Sequence, residues 1–152
     1  MDFIIGLPRT RKLHDSIMVV VDKLTKDAHF IPLKTTHKAA DVADIFLREA
    51  RHLHGIPKMI VSNRDPKFTS NLWKGLFKGF RTNLNFSTAY HRESDGQRER
   101  VNRVIEDILR MYVMDKPSMW EDYLHLVEFA YNNGYHTSLK MSLVRLQSTD
   151  VN

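Results

Sequence analysis

The 152 residues contain no cysteine, which removes disulfide frameworks, cysteine-containing zinc sites and cysteine nucleophiles together. Long apolar runs are missing too. The longest, Ile17 to Val21, is strand-length and falls far short of the roughly 20 residues of a membrane-spanning helix. Met1-Asp2-Phe3-Ile4-Ile5 has no positive segment leading into a long apolar one, so no secretory signal is legible. With 6 glycines and 5 prolines, no Gly/Ser/Pro-rich linker divides the chain, and it has no internal repeat. A nuclear or cytoplasmic protein, neither secreted nor membrane-bound, is the expectation.

What is present suits a single folded domain. Hydrophobic residues make up 42% and charged residues 27%, ordinary values for a globular protein. A chain of this size buries roughly 68–70% of its unfolded surface, enough for a real core. The formal net charge of +5 favours contact with polyanions, because basic side chains release counterions from phosphate backbones. Many proteins that bind no nucleic acid share that balance.

Periodicity divides the chain into elements. Asp2–Ile5 is a short apolar start closed by Gly6-Leu7-Pro8 and followed by the basic loop Arg9-Thr10-Arg11-Lys12, which reads as a phosphate contact or a solvated turn. Ile17–Asp22 is a β-branched run of the kind buried on both faces. Ala28–Leu33 is a third strand, with Pro32 marking its end or an edge. Val42, Ile45, Phe46, Ala50 and Leu53 then form a helical stripe, stopped by Gly55 and Pro57. A strand at Lys58–Ser62, a helix carrying Leu72, Trp73, Leu76, Phe77 and Phe80, and a strand at Leu84–Thr88 follow. Ser94-Asp95-Gly96-Gln97 has capping-box spacing. Behind it, Val101, Val104, Ile105, Ile108 and Tyr112 share a helical face to about Met114. Trp120, Leu124, Val127 and Tyr131 mark another helix, and Lys140–Asn152 shows no period and is expected to be loose. The order predicts a mixed, layered α/β domain, with Trp73, Phe77, Trp120 and Phe129 as core rather than base-stacking platforms.

Five blocks then carry a resemblance. They are Met1-Asp2-Phe3-Ile4-Ile5-Gly6-Leu7-Pro8, Asp22-Lys23-Leu24-Thr25-Lys26-Asp27-Ala28-His29-Phe30, Val61–Ser70, Tyr90–Arg100 and Val127-Glu128-Phe129-Ala130-Tyr131-Asn132-Asn133. In this order they resemble the catalytic core of a retroviral-type integrase, and most of all that of gypsy-type LTR retrotransposons. The resemblance covers residues 1–141 and leaves 142–152 as a divergent tail. It implies an RNase H-like fold, with a mixed five-stranded sheet flanked by helices. It further implies three carboxylates holding two magnesium (or manganese) ions for phosphoryl transfer on DNA. The matching ligand positions are Asp2, position 63 and Glu99, the last two separated by residues 64–98, as in the family. His91, Gln97 and Arg103 match positions that meet nucleic acid. DNA, a second copy of the chain through helical faces, and an unidentified host protein are the partners implied.

Position 63, however, is asparagine. An amide offers a hard cation one oxygen, and it neither neutralises charge nor bridges two ions as a carboxylate does. Metal affinity and turnover are expected to fall severely. Asp65 is a candidate stand-in, beside Pro66 in the turn. His91-Arg92-Glu93 stands where the family has His-Pro-Gln, which alters the charge and rigidity of that loop. Asp2 follows the amino terminus directly, and a positive α-amino group beside a carboxylate competes with a metal for it. The upstream zinc-binding and downstream β domains of full integrases do not fit, and Ser142–Thr149 replaces a family segment. A truncated, degenerate fragment is the expectation.

Glu99 has a second reading. With Arg103, Glu106 and Arg110 it lies opposite the apolar helix face, in i,i+4 pairs worth about 0.2–0.5 kcal/mol each. The eight histidines show no zinc pattern, and Asn85-Phe86-Ser87 reads as plain strand. Three functions remain open: an impaired integrase core with residual DNA affinity, a domesticated interaction or dimerisation module, and an active polynucleotidyl transferase in which Asn63 or Asp65 suffices.

Overall fold

The computed structural model describes residues 1–22, 25–53, 55–62, 64–86, 103, 105–107, 109–110 and 115–149, giving the backbone alone for 50–53 and 135–149. Three antiparallel strands open the chain: β1 (Asp2–Ile4), β2 (Ser16–Val21) and β3 (Ala28–Leu33), with β2 in the centre. Asp2 stands opposite Val19, and Val19 opposite Phe30. After helix α1 (Ala39–Leu53), strand β4 (Met59–Ser62) pairs in parallel with β5 (Asn83–Phe86). Their crossover holds α2 (Pro66–Thr69) and α3 (Asn71–Gly79).

The five expected strands are present but form a sheet of three and a sheet of two. At their junction the Met1 amino group donates to the Val61 carbonyl, at 2.6 Å. β1 is only three residues long, and this terminal bond stands where a β1–β4 ladder would run in a continuous sheet. The expectation of one five-stranded sheet is corrected to that extent, while the α/β character stands.

Alternation along β2 builds the core on both sides. Ile17 and Val19 face a cluster with Ile4, Ala28, Phe30, Ile105, Leu109, Trp120, Leu124 and Val127. Met18 faces the opposite cluster, with Leu33, Val42, Phe46, Ile60, Phe68, Trp73 and Phe77. That both faces of β2 are covered is what its unbroken β-branched run indicated. The second cluster is aromatic at its centre. Trp73 lies 5.1 Å from Phe68 and 4.8 Å from Phe77, and Phe3 stacks on Phe68 at 4.5 Å.

Short-range chemistry sets the element ends. The Asp65 carboxylate accepts from the Lys67 N–H (2.9 Å) and caps α2, with Pro66 at its first position. Ser70 caps α3 by accepting from the Trp73 N–H. Beyond α1, Gly55 takes φ +79°, a left-handed turn that glycine enters without steric cost. A turn of 3₁₀ helix, Pro117–Met119, leads into α4 (Trp120–Thr149). The backbone of α4 is helical to Thr149, and neither proline nor glycine interrupts it after Gly134. Phe129 is corrected from core to surface, being 67% exposed. It lies two residues, about 200° of helical rotation, from the buried Val127.

Candidate functional site

Asp2 is half-buried on β1, and its Oδ1 accepts from the Phe3 N–H at 2.8 Å. The Met1–Val61 bond ties the start of β1 to the end of β4. Position 63 is therefore only two residues from the carbonyl that holds Met1. Asn63, His91, Gln97 and Glu99 lie outside the described residues, as does the Ser94–Gln97 capping box. Arg103 is helical and exposed, with Glu106 and Arg110 also exposed and Ile105 and Leu109 buried. The helix thus has the polar outer face that its periodicity indicated. Among the described residues, no three His, Cys, Asp or Glu side chains come together as a metal cluster.

Asp65, the candidate stand-in ligand, spends one oxygen on the cap of α2. Arg9, Arg11 and Lys12 are exposed, which suits a phosphate contact and a solvated turn alike, and Lys12 comes within 3.9 Å of Glu121. Glu121, in the first turn of α4, accepts from the Thr10 hydroxyl at 2.7 Å and meets His14 Nδ1 at 2.8 Å. Trp120 Nε1 donates to the Pro8 carbonyl at 2.6 Å. These contacts fasten α4 to the β1–β2 loop, and no local sequence signal marked them.

Among the described residues, three groups titrate away from their ordinary values. The Thr35 amide lowers Asp15, burial lowers His37, and the hydrogen bond that His29 donates to Glu128 raises His29. A shallow groove of about 430 Å³ between β3 and α1 is lined by His14, Ile31, Pro32, Ile45, Arg48 and Glu49. None of the candidate ligands borders it.

No protein-family profile matches the chain. By sequence it is 34% identical over 142 residues to the Transposon Tf2-3 polyprotein of Schizosaccharomyces pombe (strain 972 / ATCC 24843), and equally to the Tf2-4 polyprotein. The match takes in 93% of this chain and 11% of each polyprotein. Its fold is that of retroviral integrase cores. It covers 80% of the HTLV-2 integrase catalytic core domain in complex with magnesium, with 84% of this chain matched, TM-score 0.62 and 17% identity. The catalytic core domain of BIV integrase gives TM-score 0.61 at 20% identity, with 84% of this chain and 80% of that one covered. The chain is thus similar in sequence to transposon polyproteins and shares the fold of retroviral integrase catalytic cores, a combination that resembles the integrase core of an LTR retrotransposon. A further match is the simian T-cell lymphotropic virus intasome in complex with PP2A regulatory subunit B56 gamma. There the integrase-like core aligns over 84% of its length and 46% of the other chain, at 19% identity and TM-score 0.66.

Proposed function

We propose that this integrase-like core descends from a gypsy-type element and has lost most of its metal-dependent DNA strand transfer through Asn63, while keeping weak, non-specific DNA affinity. The observation that carries the reading is the neutral amide directly after β4. At that point the Met1–Val61 bond draws the strand carrying Asp2 alongside. The polyprotein relationship supports the lineage, and the magnesium bound by the HTLV-2 core supports the ion.

The donor set decides what fits. Asp2, Asn63 and Glu99 supply two carboxylates and one amide oxygen. That suits one magnesium or manganese ion completed by water, since magnesium is held by one or two carboxylates and keeps several waters. It does not suit a pair of ions that needs bridging carboxylates, so the donor set is one short for two-ion displacement. A single bound ion would supply Lewis-acid polarisation of a phosphoryl oxygen. The residues' own part is binding: His91, Gln97 and Arg103 meet the nucleic acid, and the net charge of +5 favours the complex.

The deciding experiment is DNA nicking and strand transfer with magnesium or manganese, comparing the unmodified chain with Asn63→Asp. Strong activity is expected only in Asn63→Asp, and Glu99→Gln in that background abolishes it. Metal-dependent activity in the unmodified chain equal to that of Asn63→Asp overturns the reading. A second reading, a protein-interaction module, draws support from Leu126 and Phe129, exposed three residues apart on α4. DNA binding that weakens steeply with salt decides for the first reading, and its absence for the second.

A further inference from the structure

Two of the sequence blocks, Asp22–Phe30 and Val127–Asn133, hold no candidate ligand, and the end of the first, Ala28-His29-Phe30, meets the second in space. β3 is an outer strand of its sheet. Its inward backbone groups pair with β2, and antiparallel alternation leaves those of Ala28, Phe30 and Pro32 facing outward. Asn132 Oδ1 accepts from the Ala28 N–H at 2.8 Å, while Asn132 Nδ2 donates to the Ala28 carbonyl at 3.0 Å. One side-chain amide thus makes both bonds that a residue of a neighbouring strand would make. One turn earlier on α4, Glu128 Oε2 accepts from the Phe30 N–H at 3.1 Å, and its Oε1 meets His29 Nδ1 at 3.1 Å. Pro32 has no N–H to satisfy.

The spacing explains why a helix can do this. Four residues of helix rise about 6 Å, and two residues of strand about 6.6 Å. Glu128 and Asn132 on one helix face therefore match Phe30 and Ala28, with the helix antiparallel to the strand. An open edge is a template for pairing with another chain.

We propose that Glu128 and Asn132 act as a surrogate strand that seals the β3 edge, and that His29 makes the seal pH-sensitive. The charged groups around His29 are Glu128 from α4 and Asp27 and Asp22 from the β2–β3 turn. Opposite it on β2 stands the uncharged Val20. Its pKa is raised above 6.5, first by the hydrogen bond to Glu128, against the opposing effect of burial. The sign follows. A raised folded value means that the contribution is complete below about 6.5 and is lost as pH rises through the folded value. Protonated His29 gives Glu128 a charge-assisted bond that holds the carboxylate on the Phe30 N–H.

Amide hydrogen exchange in the unmodified chain, corrected for intrinsic rates, tests the seal at about pH 6 and about pH 8.5. At the lower pH, Ala28 and Phe30 are expected to be as protected as the β2 amides. At the higher pH, Phe30 protection falls several-fold, and Glu128→Gln removes that pH dependence. Asn132→Ala speeds exchange at Ala28 by about tenfold and leaves Met18 unchanged. Exchange of Ala28 and Phe30 at loop-like rates at both pH values overturns the proposal without any variant. A pH dependence that survives in Glu128→Gln overturns it as well.

Discussion

At the scale of single residues, a carboxylate and an amide of nearly equal size differ by one formal charge, and at position 63 that charge is what a divalent cation needs. Two positions on, Asp65 supplies charge but spends an oxygen on the N–H of Lys67. Capping and ligation respond differently to substitution. In an Asn63→Asp background, Asp65→Asn keeps a capping oxygen and is expected to leave strand transfer intact, whereas Asp65→Ala costs about 0.5–2 kcal/mol in urea unfolding. Loss of metal-dependent activity in Asp65→Asn would make Asp65 a ligand. The sequence marked Asp65 only as a candidate ligand in a turn, and the structure added its role at the helix start, which an Asp before Pro also suits.

Elements were legible wherever their period was strong. β3 runs over Ala28–Leu33 as its residues indicate, and Pro32 sits on an outer strand with its missing N–H turned away from β2. Less legible was the fastening of α4. Trp120 was marked as core by its spacing from Leu124 and Val127, yet its bond to the Pro8 carbonyl joins residues 112 positions apart. Trp120→Phe keeps the aromatic ring and leaves that carbonyl without its donor. Its expected cost is about 1–3 kcal/mol, read as a shift of the urea midpoint. An unchanged midpoint would mean that the loop is held by Glu121 alone.

For the molecule as a whole, stability rests on the two clusters on either face of the three-stranded sheet. Trp73 is fully buried among Phe46, Phe68 and Phe77. Trp73→Ala is expected to cost about 3–5 kcal/mol, a large share of the roughly 5–15 kcal/mol that holds a domain folded. Phe129→Ser, at an exposed position, is expected to stay within about 0.5 kcal/mol. Thermal unfolding of the two variants side by side checks both, and equal shifts would contradict this division between core and surface.

By itself, the sequence determined what near neighbours encode: the strands and helices, the stripe that buries Trp120, Leu124 and Val127, and the asparagine at position 63. These follow from periodicities of two and 3.6 residues and from side-chain chemistry acting over one turn. Only the tertiary structure decided that the strands divide three and two, that Phe129 faces outward, and that Asn132 and Glu128 reach Ala28 and Phe30. Those last contacts bridge 104 and 98 residues. Contacts at such separation depend on how whole elements dock. No local pattern fixes that arrangement, because the same helical stripe satisfies its own backbone wherever it packs.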